Sequence, residues 1–310
     1  MIKKIPPWML HEWQSQSLDW KIERSLQRIK EFYEANEGET YVAYSGGKDS
    51  TVLLHLVRSL YPEVEAVFID TGLEYPEIKG FVKQTSSVTT LRPKMSFREV
   101  LDKYGYPVVS KEVSMAISRY RNTKDSAMKN FRLYGVRKGK GGYHMGVIPR
   151  KWSYLVNAPF KISDACCDVM KKKPFNRYMK ETGRVPYMGV MAGDSVRRER
   201  EFLKYGCNTF GSNPSSKPLS FWLEEDVWGY IKRFNIPYSK IYDMGEKRTG
   251  CVFCMFGCHL EPHPNRFRRM KTTHPQLWNY CMNQLNLREI LAYLGVDSGI
   301  NTLNNLLNPQ

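Results

Sequence analysis

A chain of 310 residues with 42% apolar residues has material for a real core, in one large domain or two small ones. Its 47 Lys and Arg against 31 Asp and Glu leave a formal charge of +16, a bias that favours polyanionic partners, nucleic acid first. There is no run of about twenty apolar residues, and the start Met-Ile-Lys-Lys-Ile-Pro-Pro-Trp lacks a long apolar core. Neither a membrane span nor a signal peptide is expected, and the expected location is cytoplasmic.

Residues 1–38 read as a helical N-terminal extension. Leu18, Ile22, Leu26, Ile29 and Phe32 recur at helical spacing within Trp13–Tyr33, and Gly38 closes the stretch. Next comes the stretch with the clearest chemistry, Tyr41-Val-Ala-Tyr-Ser-Gly-Gly-Lys-Asp-Ser-Thr-Val-Leu-Leu-His-Leu56. It predicts a buried strand over about 40–44, a turn at Ser45, Gly46 and Gly47, and a helix over about 49–60. Two glycines let backbone approach a ligand closely. The helix start offers unpaired N–H groups and the positive end of its dipole, Lys48 adds a full charge, and Asp49 and Ser50 suit the first turn. The physics is that of a phosphate cradle, although the spacing is not GxxxxGK[ST].

Val64–Ile69 predicts a second strand, ending in Asp70-Thr71-Gly72. Strand, helix and strand at this spacing imply a right-handed parallel unit, hence an α/β fold with an open, mostly parallel sheet flanked by helices. Asp70 then stands at the carboxyl end of a strand beside the glycine turn, a position suited to ATP or Mg²⁺. A helix over Glu77–Gln84, a short strand over Thr89–Arg92 and a helix over Phe97–Tyr104 follow. A basic insertion spans 111–151. Between Arg119 and Lys151 it holds ten Lys and Arg and one acid, Asp125, with Tyr120, Phe131, Tyr134, Gly139, Gly141, Gly142 and Tyr143 interleaved. Two readings stand together there: phosphate contact with base stacking, or a solvated helix and loop. Val185–Met191 predicts another strand, running into Gly193 and then Arg197, Arg198 and Arg200, side chains suited to gripping phosphate. Glu224–Phe234 is strongly helical. An amphipathic helical tail covers His274–Leu294, and 295–310 is polar and expected to be loosely held.

Seven cysteines in a chain of this class argue against a disulfide framework and for metal or redox chemistry. Cys251-x-x-Cys254 is a metal-ligand spacing. Spacing alone leaves two completions open. Cys258 with His259 makes a local Cys₃His zinc site, whereas the Cys166-Cys167 pair, 83 residues upstream, makes a four-cysteine site suited to an iron–sulfur cluster.

The assembled pattern resembles the phosphoadenosine-phosphosulfate reductase family, a branch of the ATP pyrophosphatase superfamily, over roughly residues 40–260. The shared motifs are Ser-Gly-Gly-Lys-Asp-Ser at 45–50, Asp-Thr-Gly at 70–72, Cys-Cys at 166–167 with the basic run to Pro174, and the Gly193–Arg198 turn. They continue with Lys217-Pro-Leu, Asp226-Val-Trp, Ile236-Pro-Tyr and Gly250-Cys-x-x-Cys254. The resemblance implies an adenine nucleotide alpha hydrolase-like fold, with a nucleotide-binding domain over 39–250 and a cysteine-bearing, helical part over 251–310. It implies Ser45, Gly46, Gly47, Lys48, Asp49, Ser50, Asp70, Thr71, Gly72, Gly193, Arg197 and Arg198 around ATP and Mg²⁺, with Lys48, Asp49 and Asp70 in the chemistry. It also implies a [4Fe–4S] cluster on Cys166, Cys167, Cys251 and Cys254 beside the nucleotide. One departure stands out: the Glu-Cys-Gly-x-His segment of assimilatory sulfonucleotide reductases is not found, the last cysteine being Cys281. The expected function is therefore ATP-dependent sulfur transfer to a nucleic acid, DNA in phosphorothioation or tRNA in thiolation, with a sulfur donor such as a cysteine desulfurase. Reduction of adenylyl sulfate or its 3′-phosphorylated form is the alternative, and a non-catalytic nucleotide-binding subunit a third.

Overall fold

The computed structural model describes residues 5–135 and 146–299. Gly139, Gly141, Gly142 and Tyr143 of the basic stretch, and residues 300–310 of the polar tail, lie outside them. The chain divides into two compact units, each made of two segments: Met1–Pro93 with Lys173–Thr249, and Lys94–Lys172 with Gly250–Gln310. Residues 94–172 thus group with the C-terminal segment, not with the rest of 39–250.

The first unit is built on a six-stranded sheet. Its strands include β1 (Thr40–Tyr44), β2 (Glu65–Ile69) and β3 (Val88–Leu91). From edge to edge the order is β3, β2, β1, Val185–Met188, Ser215–Ser216, Asn208–Thr209. All neighbours are parallel except the last pair. The order runs outward in both directions from β1 and Val185–Met188, so the loops leaving these two strands diverge and open a crevice at their carboxyl ends.

Pleating assigns the faces. On one, Tyr41 packs edge-on against Tyr178 of the helix Lys173–Thr182, with Val67, Leu91 and Phe175 around them. On the other lie α1 (Pro7–Ser15), α2 (Leu18–Ala35) and α3 (Lys48–Leu60). There Tyr187 donates from its hydroxyl to Ile29 O at 2.8 Å and meets Phe32. A buried ion pair of 2.6 Å, Lys21 with Asp226, and the Trp222 indole bonded to Ser25 tie α2 to the segment entering the helix Glu224–Arg233. The expected single N-terminal helix is two helices, because Ser17 caps a new one: its side chain accepts from the Trp20 amide. Trp13, in α1, packs against Trp20, Phe202 and Phe221.

The second unit is mostly helical, and one short extended stretch organises it. Val108–Val109 pairs in parallel with Met255–Phe256, and just before it Tyr106 bridges Ile162. Backbone bonds Tyr106 N–H to Lys161 O, Ser163 N–H to Tyr106 O, and Gly257 N–H to Val109 O complete the seam. Residues 106–109 thereby tie the approach to Cys166 to the exit from Cys254. Two arginines of the basic stretch are structural. Arg121 donates to the carbonyls of Leu155, Val156, Ala158 and Phe160, and Arg132 is buried and donates to Gly146 O. Among the described residues no helix is long and apolar enough to cross a membrane.

Candidate nucleotide site and cysteine group

In the first unit, β1 delivers Ser45–Gly47 to the start of α3. Gly46 adopts φ +71°, and a Cβ there would meet Val82 and Ile78 of α4 (Pro76–Gln84). A Cβ on Gly47 would meet Thr249 Oγ1 at 2.5 Å and crowd Tyr242 Oη and Ser45 Oγ at 3.3 Å. Both glycines are therefore demanded by packing. Gly47→Ala is expected to weaken nucleotide binding at least about tenfold and to lower the melting temperature. Titration with a fluorescent ATP analogue and a thermal melt would show it; unchanged affinity would mean the turn opens without cost.

Inside the loop Ser50 Oγ donates to Gly47 O and receives the Ser45 amide, and Ser45 Oγ receives the Gly47 amide. The Lys48 amide donates to the Tyr242 hydroxyl at 2.8 Å. Asp49 and Ser50 lie in the first turn, where N–H groups have no partner within the helix. Lys48 is buried, and its ammonium sits 3.5 Å from Asp49, 3.4 Å from Glu224 and over the Tyr242 ring at 5.6 Å. Burial pulls that ammonium down, but Asp49, Tyr242 and Glu224 outweigh it and hold it above the usual lysine value. The Asp49 carboxyl is raised, first by burial, against Lys48, with Asp194 and Glu224 adding to the rise. Asp49 Oδ1 is buried, with the Lys48 ammonium 3.5 Å away as its charged partner.

The second arm of the crevice, after Val185–Met188, passes so close that a Cβ on Gly189 would stand 3.0 Å from Asp49 and Ser50 backbone. It carries Gly193 and Asp194 into a helix, Val196–Tyr205, that the sequence reading missed; Ser195 caps it by accepting the Arg198 amide. Arg198 is ion-paired to Asp194, while Arg197 is exposed. Asp70 ends β2 held by Lys79 at 2.6 Å and Arg92 at 3.8 Å. Burial pushes its carboxyl up, but Lys79, the Gly72 amide and Arg92 bring it below the usual range. Thr71 donates from both its amide and its hydroxyl to Glu74. The loop, Asp49 and Asp194 are thus brought together, Asp194 also pairing with Arg198, while Asp70 pairs with Lys79 and Arg92.

Glu224, Trp228, Tyr242, Gly245, Glu246 and Lys247 line an open cavity of about 390 Å³ that shares Glu224 and Tyr242 with the Lys48 environment. Trp228 meets Tyr242 edge-on at 5.4 Å. Glu224, Tyr242, Thr249 and Asp194 had no role in the sequence reading, and nothing in the spacing points to them: Tyr242 is 194 residues from the amide it binds.

In the second unit the five cysteine candidates for metal, Cys166, Cys167, Cys251, Cys254 and Cys258, lie outside any disulfide. Cys166 and Cys167 sulfurs are 3.9 Å apart. Cys167 is lowered by the hydrogen bond from Cys166 and by Lys111 and Lys171, whereas Cys166 is raised by that same bond, by burial and by the charges of Cys167, Cys254 and Cys251. Burial lifts Cys254 to about 11 despite the Phe256 amide and Arg266. Arg266 also donates to Cys254 O and pairs with Glu261. Four thiols within electrostatic reach, faced by Lys111, Lys171 and Arg266, form a donor set that suits a thiolate-ligated group. Among the described residues no three His, Cys, Asp or Glu side chains converge as on a single bound ion.

A family model described as the phosphoadenosine phosphosulfate reductase domain matches residues 39–122 and 119–256. An uncharacterized protein of Methanocaldococcus jannaschii is 27% identical over 275 residues, covering 86% of this chain and 53% of that protein. The chain thus spans about half the length of that relative. The adenosine 5′-phosphosulfate reductase of Staphylococcus epidermidis is 21% identical over 237 residues, covering 73% of this chain and 74% of the reductase. A crystal structure of phosphoadenylyl-sulfate reductase from Candida auris, a phosphate complex, aligns with a TM-score of 0.44 and 17% identity, covering 81% of this chain and 98% of that one.

Proposed function

Because the chain belongs to the phosphoadenosine phosphosulfate reductase family, we propose that its reaction starts from an adenine nucleotide and that this nucleotide is ATP, cleaved to AMP and pyrophosphate in activating a nucleic acid for sulfur transfer. The observation that carries the choice is the carboxylate group around the loop. Asp49, with the Lys48 ammonium 3.5 Å from its buried Oδ1, shares its surroundings with Asp194 and Glu224. Carboxylates in excess over the one ammonium suit a hard cation. Mg²⁺ takes one or two carboxylates and the substrate's phosphates; Asp49 and Asp194 are the residues to hold it, and bound there it neutralises charge on the departing pyrophosphate.

The protein's own part follows from the geometry. The amides of the α3 first turn and the Lys48 ammonium receive the β,γ-phosphates. The Tyr242 hydroxyl, now on the Lys48 amide, gives way to a phosphate oxygen. An acceptor oxygen attacks the α-phosphorus, pyrophosphate departs, and the acceptor carries AMP. A persulfide from a donor such as a cysteine desulfurase, reduced to the sulfide level by a dithiol that becomes a disulfide, then supplies the sulfur that displaces AMP. Cys166, Cys167, Cys251 and Cys254 are the residues to hold a [4Fe–4S] cluster, which supplies a soft iron site for sulfur. Asp70, gripped by Lys79 and Arg92, orders the neighbouring loop.

Reduction of adenylyl sulfate is the second reading, favoured by the staphylococcal relative's name. It needs a reactive thiol; Cys207, the first unit's one cysteine, is buried and pushed to about 12. Anaerobic protein with ATP, Mg²⁺, RNA or DNA and inorganic sulfide is expected to release AMP and pyrophosphate in equal amounts, and pyrophosphate alone when sulfide is left out. Sulfite from adenylyl sulfate and a dithiol, with no pyrophosphate from ATP, would establish the reductase instead.

A further inference from the structure

The charge of the chain is unevenly placed. The segments 94–172 and 250–310 hold 22 Lys and Arg against nine Asp and Glu, and the rest of the chain 25 against 22. Nearly all the excess therefore belongs to the second unit. Within it runs a row of rings. His259 meets Trp152 at 4.9 Å, Trp152 meets Tyr154 at 6.1 Å, Tyr154 meets Tyr293 at 5.6 Å, and Tyr293 meets Phe160 at 5.4 Å. The two central tyrosines are open to solvent, Tyr154 at 41% and Tyr293 at 38%. Arg150 and Lys151, both exposed, stand on the same turn as Trp152 and Tyr154, with the Lys151 ammonium 5.4 Å from the Trp152 ring. Neither makes an ion pair among the described residues.

The row is held firmly. Arg121 spends its guanidinium on four carbonyls between Leu155 and Phe160, the backbone immediately after Tyr154. The Tyr154 hydroxyl reaches the Tyr293 carbonyl at 3.4 Å. Burying an arginine's donors to fix a turn while leaving two tyrosine rings exposed suits a surface that has a partner. Duplex nucleic acid hides its bases and presents phosphates, whereas a single strand offers ring faces as well. Stacking on aromatic side chains beside a basic track is how single strands are bound without sequence readout.

We propose that Tyr154 and Tyr293, edged by Arg150 and Lys151, are the docking surface for a single-stranded segment of nucleic acid. Bases stack on the two tyrosines, and phosphates meet Arg150 and Lys151. This deepens the reading above, since it rests on the acceptor being a nucleic acid, and it names the state in which that acceptor is held: unpaired.

The test is fluorescence anisotropy with labelled 12-nucleotide single strands of RNA and DNA, their duplexes, and inorganic polyphosphate as competitor. The intact protein is expected to bind single strands at least about tenfold tighter than duplexes. Tyr154→Ala and Tyr293→Ala are each expected to weaken single-strand binding about tenfold, and Tyr154→Phe to keep it, because the ring remains. Arg150→Ala with Lys151→Ala is expected to flatten the salt dependence of binding by about two counterions. Circular dichroism melts of each variant establish that it is folded. Equal affinity for duplex and single strand, or alanine variants that fold and bind like the parent, would overturn the proposal. So would displacement by polyphosphate from parent and tyrosine variants alike. Failure here with pyrophosphate release intact rejects the surface and spares ATP cleavage; binding as described without ATP cleavage does the reverse.

Discussion

Lys48→Met is expected to slow pyrophosphate release from ATP about a thousandfold, the upper range for removing one preorganised charge from a site where charge develops. Two features put the effect that high. Lys48 is buried, so its charge acts with little water to screen it. It is also the first residue of α3, so backbone amides and ammonium serve the same anion. The substitution has a structural cost as well. Asp49, already raised by burial, loses the cation that holds it down, and its carboxyl moves further up. A folded state that prefers the protonated acid gains stability at low pH and loses it as pH rises through the raised value. The variant is therefore expected to melt lower than the parent at pH 8, with a smaller difference at pH 5. A coupled pyrophosphate assay and melts at the two pH values read both effects. A rate within tenfold of the parent would remove Lys48 from the chemistry.

Cys254→Ser is expected to cost the protein its iron and its broad absorption near about 400 nm, and Cys258→Ser to leave both in place. Cys254 is placed for ligation: the Phe256 amide bonds its sulfur and Arg266 braces its carbonyl. Such contacts orient a ligand and tune the group it holds. Cys258 is buried, its thiol pushed to about 12 mainly by burial, as a packing residue would be. Because Cys166 and Cys254 are raised, loading must expel protons, and iron uptake is expected to improve as pH rises. Iron analysis and absorption spectra of anaerobic protein decide it. Loss of metal in Cys258→Ser, with zinc recovered from the parent, would transfer the ligation to Cys251, Cys254, Cys258 and His259.

The elements nearest the nucleotide were legible because their signals are local. Ser45–Ser50, the apolar strand before it and the periodic helix after it are all consecutive, and β1 and α3 fall where the periodicity places them. The site's other half is contributed from far along the chain, and no local pattern announces that Tyr242 will cap Lys48 or that Thr249 will press on Gly47. Val196–Tyr205 was hidden by its charges: six of its ten residues are Arg, Lys or Glu, leaving Phe202 as its buried side chain. The 106–109 seam is too short to show alternation, yet it gathers the cysteines. Arg121 and Arg132 show the opposite failure. A basic run reads as surface, but these two spend their donors on backbone carbonyls.

The interleaving of the two units bears on how the protein is made. The chain passes from one unit to the other after Pro93, after Lys172 and after Thr249. Neither can be cut out as one continuous piece, and neither is complete when the ribosome has finished its first segment. Cys166 and Cys167 emerge 83 residues before Cys251, a wait of about 4–17 s at roughly 5–20 residues per second. For that interval two neighbouring thiols have no second pair to share a ligand with, and the Val108–Val109 strand that will join them to Cys254 has no partner either. The Val108–Val109 pairing therefore closes only once residues 255 and 256 have been made.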